Sequence, residues 1–179
     1  MSESTLNQAD GVLPPELVAL ARRVIAENRA IGRTVAVAES CTGGLVAAAL
    51  TEIPGSSAVF EAGFVTYSNA QKVKLLGVSE DVIDAFGAVS IATAWAMAHG
   101  ALNRTGADVA VSITGVAGPD GGTELKPVGT VVFARAEKGM QDADAVADLR
   151  KFEDEGRAKV RLQAALCALE LLLPEASAP

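Results

Sequence analysis

Thr34-Val35-Ala36-Val37-Ala38-Glu39-Ser40-Cys41-Thr42-Gly43-Gly44-Leu45-Val46-Ala47-Ala48-Ala49-Leu50 is the stretch whose reading decides the fold. Residues 34–38 are a short apolar run that reads as a buried strand, and residues 45–50 are small apolar residues that read as a buried helix. Ser40 and Cys41 fall at the turn between them, and both are possible nucleophiles. A strand-to-helix turn aims backbone N–H groups and the positive end of a helix dipole at whatever lies in front of it, which suits an anion or a developing oxyanion. The same two residues also suit a plain structural role, as a helix-capping serine and a small buried thiol.

Towards the N-terminus, residues 1–13 are polar and unpatterned and predict a mobile arm. Pro14-Pro15 then opens a helix in which Leu17, Leu20, Ala21, Val24, Ile25 and Asn28 follow helical spacing, and Gly32 ends it. Towards the C-terminus, Ile53-Pro54-Gly55-Ser56-Ser57 is a turn signal. The run 59–67 that follows predicts a largely buried strand, with Val59, Phe64 and Val65 inside and Tyr67 at its end. Ser68-Asn69-Ala70-Gln71 has the spacing of a capping box, so a short helix carries Lys72 and Lys74 on different faces until Gly77. Further helices are expected from Ser79 to Phe86 and from Ser90 to Asn103.

Residues 108–114 read as a strand running into Gly115-Val116-Ala117-Gly118-Pro119-Asp120-Gly121-Gly122. That loop lets backbone approach a ligand closely, but it matches neither the P-loop nor the dinucleotide fingerprint. Residues 127–134 predict a strand, 143–152 another, and 157–173 a closing amphipathic helix that Arg157 opens. Strands alternate with helices without a repeat or linker, which predicts one mixed α/β domain.

Composition narrows the chemistry. The 179 residues fit one domain with a full core, and a formal charge of -7 opposes binding to a phosphate backbone. Two cysteines, Cys41 and Cys167, cannot make a tetrathiolate zinc site or a secreted disulfide framework, so a cytoplasmic location is expected. No segment approaches the roughly 18 apolar residues of a membrane span, so no membrane association is expected. His99 is the single histidine; it lies one helical turn from Trp95, where packing is favoured over catalysis. Scarce histidine turns attention to lysine: a serine can be activated by a lysine whose pKa burial lowers, and Lys72, on the helix that follows Tyr67, is the candidate. A solvated helix lysine and a core-edge tyrosine remain the alternatives for those two residues.

Several ordered motifs occur together: Ala38 to Gly44, Pro54-Gly55-Ser56-Ser57, Gly63-Phe64-Val65-Thr66-Tyr67-Ser68-Asn69, Gly87-Ala88-Val89-Ser90, Ser112 to Gly122, and Lys126 to Val131. In this order they closely resemble the C-terminal domain family of the CinA competence/damage-inducible proteins, over about residues 15–173. The resemblance implies a single-domain three-layer α/β/α sandwich with a mixed β-sheet, spanning 14–173 between the arm and a 174–179 tail. It implies an amidohydrolase that deamidates nicotinamide mononucleotide to nicotinate mononucleotide and ammonia, without metal or cofactor. Ser40 then matches the nucleophile, Tyr67 and Lys72 its activating pair, and Thr114 a substrate-site hydroxyl. Arg157 looks like a substrate-binding arginine of the family, although Phe152 to Arg157 carries an extra residue.

On that basis the backbone N–H groups of Thr42, Gly43 and Gly44 are the expected oxyanion hole, and the loop from Gly115 together with Arg157 is expected to hold ribose and phosphate. The expected partners are a small nucleotide and a second copy of the chain in a homo-oligomer, with no nucleic acid. The competing reading is a non-catalytic nucleotide-binding or interaction module linked to competence or DNA damage. Many relatives carry a further N-terminal domain, whose activity does not transfer.

Overall fold

A computed structural model describes residues 11–139, 146–153 and 156–174. The chain runs α1 (Pro15–Ala30), β1 (Val35–Glu39), α2 (Leu45–Thr51), a single 3-10 turn (Ser56–Ala58), β2 (Phe60–Val65), α3 (Asn69–Leu76), α4 (Glu80–Phe86), α5 (Ile91–Thr105), β3 (Val109–Gly115), β4 (Thr130–Glu137), β5 (Val146–Lys151) and α6 (Arg157–Leu171). Most elements of the sequence reading are present. Most of the arm and tail, and the start of the strand expected from residue 143, lie outside the described residues.

The five strands form one sheet in the order β2-β1-β3-β4-β5. β1 pairs in parallel with both β2 and β3, whereas β4 and β5 are antiparallel, so the sheet is mixed. β1 and β3 are buried along their length because both faces are covered, which is why their sequences are continuous apolar runs. On one face α1, α2 and α6 enclose a core that includes Leu17, Val24, Leu50, Phe133 and Leu169. On the other, α3, α4 and α5 enclose Leu76, Ile83, Met97 and Val132. The result is a three-layer α/β/α sandwich.

β2 departs from expectation. It lies at the edge of the sheet, and its residues alternate between half-buried and exposed, Val65 being exposed and Phe64 only partly buried. An apolar run at an edge is paired on one side only, a distinction that the periodicity of a single strand does not carry.

Register brings three strand ends level. Glu39 stands opposite Val65 on β2 and Ile113 on β3, so Ser40 and Thr66 leave the sheet at its carboxyl edge, level with Thr114, which is still paired with Val132 of β4. The N–H of Ser40 bonds the Ile113 carbonyl at 2.9 Å, and the N–H of Thr66 bonds the Glu39 carbonyl at 2.8 Å, extending both ladders by one rung. The carboxyl edge of parallel strands is where open α/β sheets place their ligands.

Candidate active site

A pocket of about 230 Å3 opens at that edge. Ser40 and Cys41 supply one wall, Tyr67, Asn69 and Lys72 another, and Thr114, Gly115 and Ala117 a third, with Ala88 and Val89 beside them and Arg157 at the rim. The structure therefore gathers Ser40, Tyr67, Lys72, Thr114, Gly115 and Arg157 from separate parts of the chain.

Lys72 is brought in by α3. Ser68 caps that helix, its hydroxyl accepting from the N–H of Gln71 at 3.3 Å, as the capping-box spacing predicts. The lysine side chain folds back towards the start of its helix, the direction helical side chains favour. Its Nζ donates to the Thr66 carbonyl at 2.7 Å and meets Ser40 Oγ at 3.0 Å. Lys72 is 1% exposed and Ser40 8% exposed, so this contact is almost wholly buried at the base of the pocket. Desolvation lowers the lysine pKa from its ordinary value, only partly countered by the Cys41 sulfur. Lys74, two residues on, is exposed.

Cys41 is separated from Ser40 by the same physics acting in the other direction. Burial pushes its thiol pKa up to about 11, even though the backbone amides of Cys41 and Thr42 pull it down. At neutral pH it is a protonated thiol, a poor nucleophile.

Tyr67 stands apart from the Ser40–Lys72 pair. It is exposed, and its hydroxyl accepts from Arg157 Nη2 at 2.8 Å; among the described residues it makes no hydrogen bond to Ser40 or Lys72. Arg157 Nη1 donates to the Gly118 carbonyl at 2.8 Å, so the guanidinium spans the rim between the glycine-rich loop and the tyrosine. The extra residue before Arg157 does not keep it out of the pocket. Thr114 is buried, with its hydroxyl donating to the Ala88 carbonyl at 2.8 Å.

The turn after Ser40 corrects a second expectation. Thr42, Gly43 and Gly44 do not line the pocket. The Gly43 N–H is used by the Ser40 carbonyl at 3.0 Å, and the Gly44 N–H by the Glu39 carboxylate at 2.9 Å. Glu39 is fully buried and also accepts from Val46 N at 3.2 Å and Ala47 N at 2.8 Å, so its carboxylate already fills the start of α2. Among the described residues the N–H groups of Cys41 and Thr42 have no carbonyl or carboxylate partner, and both lie against the Cys41 sulfur.

Glu39 is thus a site-building residue that the sequence reading passed over. Its signal was an acid shortly before a helix start. Asn69 and the apolar trio Ala88, Val89 and Ala117 were also missed as lining residues, since only packing places them. Trp95 and His99 stack at 4.1 Å, away from this pocket. Among the described residues no group of three or more metal-ligating side chains gathers, and no helix is long and apolar enough to cross a membrane.

Residues 17–176 match the CinA C-terminal domain family. The chain is 53% identical over 147 residues to the nicotinamide-nucleotide amidohydrolase PncC of Enterobacter agglomerans, covering 82% of this chain and 87% of that one. It is 63% identical over 105 residues to a CinA-like protein of Chloroherpeton thalassium, covering 59% of this chain but 25% of the longer protein. It likewise spans 29% of a relative in Symbiobacterium thermophilum that is 56% identical over 139 residues. The crystal structure of the competence/damage inducible protein CihA of Agrobacterium tumefaciens superposes with a TM-score of 0.86 at 47% identity, over 90% of this chain and 96% of that chain. On sequence and fold together, the chain belongs to the CinA C-terminal domain family.

Proposed function

We propose that the protein is a serine amidohydrolase that deamidates nicotinamide mononucleotide, with Ser40 as nucleophile and Lys72 as its base. The observation that carries this reading is the buried 3.0 Å contact between Lys72 Nζ and Ser40 Oγ, with a lysine whose pKa is lowered. The name of the PncC relative supplies the substrate class.

The neutral amine accepts the Ser40 proton as Oγ attacks the carboxamide carbon, and the Thr66 carbonyl holds the amine in line. The N–H of Cys41, which lines the pocket beside Ser40, is the donor assigned in this reading to the developing oxyanion. A donor in that role contributes about 3 kcal/mol. The proton on Lys72 then passes to the leaving nitrogen, ammonia departs, and Ser40 carries the acyl group as an ester. Water, activated by the same amine, attacks the ester and releases the carboxylate. Ala88, Val89 and Ala117 form an apolar wall for the pyridine ring, and the lone pairs of the Thr114 hydroxyl can accept from the carboxamide NH2. Arg157, with Tyr67 beside it, meets the phosphate at the rim. In this reading Tyr67 places the anionic end of the ligand and is not a member of the proton-transfer pair.

Purified protein incubated with nicotinamide mononucleotide is expected to release ammonia. Ser40→Ala should lower the rate by more than about 1000-fold, while Cys41→Ala stays within a few-fold of wild type. Tight binding of the nucleotide by the wild type with no ammonia released would replace this reading with that of a binding module.

A further inference from the structure

Among the described residues β5 pairs with β4 alone, at the edge of the sheet. The Phe152 N–H donates to the Gly129 carbonyl at 2.9 Å, and the register sets Leu149 opposite Val132 and Ala147 opposite Ala134. Antiparallel ladders alternate hydrogen-bonded with open pairs, so the peptide groups of Ala147, Leu149 and Lys151 turn away from β4. Beside this edge lies an open apolar groove of about 820 Å3, walled by Phe86, Ile91, Trp95 and Leu149. Phe86, Ile91 and Leu149 are 57%, 52% and 42% exposed. On the other face of the strand Asp148 and Arg150 form an exposed pair at 2.8 Å.

We propose that this edge and groove dock a second copy of the chain, through an antiparallel two-fold pairing of β5 centred on Leu149. Only an even register lets the outward peptide groups of two copies meet. In the register centred on Leu149, Asp148 faces the partner's Arg150 and Arg150 faces the partner's Asp148. Both pairs fall on the closer, non-hydrogen-bonded rungs, where cross-strand side chains interact most. Shifting the centre to Asp148 sets that residue against its own copy, and shifting it to Arg150 does the same for the arginine. Like charges directly opposite are unfavourable, so the strand is self-complementary in one register. Two-fold symmetry satisfies both charge pairs at once and carries Leu149 of each copy to the seam beside the apolar groove. The two sheets then run on as one.

Sedimentation velocity of the full chain at micromolar concentration tests this. Wild type should sediment at about twice the 18.2 kDa of the chain. D148R alone and R150D alone should each fall to the mass of one chain, with unchanged far-ultraviolet circular dichroism. An equimolar mixture of the two should recover the dimer, because the paired arginines of one variant then face the paired aspartates of the other. Should R150D fail to fold, since Arg150 also meets Cys167 at 3.0 Å, the D148R/R150D double variant, which is self-complementary again, should dimerise where D148R does not. A monomeric wild type, single variants that stay dimeric, or a double variant that stays monomeric would each overturn the proposal.

Discussion

A buried amine is costly to protonate, and Lys72 carries that cost where a base is needed. Its pKa is lowered from 10.5 by desolvation, so the folded protein binds fewer protons than the unfolded chain between the depressed value and 10.5. Two consequences follow with definite sign. The kcat/KM for amide hydrolysis should rise with pH through the depressed lysine pKa, and Lys72→Met should lose about 100- to 10,000-fold. Wild-type stability should fall as pH drops across that window, whereas in Lys72→Met this dependence disappears, so melting curves should shift in the variant's favour as pH is lowered. An unchanged rate in Lys72→Met would remove the lysine from the mechanism. Sequence alone left Lys72 open between base and solvated side chain, because spacing says which face of α3 it occupies but not what that face meets. Ser40 and Cys41 were equally open on local pattern, the family resemblance favoured Ser40, and burial sets a lysine against Ser40 and raises the pKa of Cys41.

Among the elements, α3 must be held against the sheet for Lys72 to reach Ser40, and α5 does the holding. Gly100 on α5 lies so close to α3 that a Cβ there would come within 2.1 Å of the Leu76 carbonyl oxygen. Alanine in place of glycine improves helix propensity by about 1 kcal/mol. Overpacking against an immovable backbone costs about 1–3 kcal/mol and wins. Gly100→Ala should therefore lower the melting temperature, and it should reduce activity by more than its effect on folding, since the shift displaces α3 itself; a neutral or stabilising outcome would contradict this packing. Elements of this kind were legible where local chemistry is self-sufficient: the Ser68–Gln71 cap, the Pro15 helix start, the β1 run. β2 was misjudged because edge position is a property of the sheet, and the Gly44 amide because Glu39 takes its partners from a turn and a helix that only folding brings to it, while the Gly43 amide is spent within the turn on the Ser40 carbonyl.

At the scale of the molecule, the mixed α/β class was readable from the alternation of elements, while the strand order was not, since β4 and β5 complete the sheet in antiparallel sense after three parallel strands. The net charge of -7 is likewise a global quantity, and it predicts no measurable affinity for duplex DNA near physiological salt. A salt-dependent titration showing tight binding would refute that. Glu39 has one further effect, on how this framework can diversify. Its carboxylate closes the α2 start to outside anions and leaves the acidic end of any ligand to the rim, around Arg157 and Tyr67. Nucleophile and base are thereby insulated from whatever the rim recognises. Substitutions at the mouth can drift towards new ligands without retuning the reaction, and the interior can stay fixed while the exterior is rewritten.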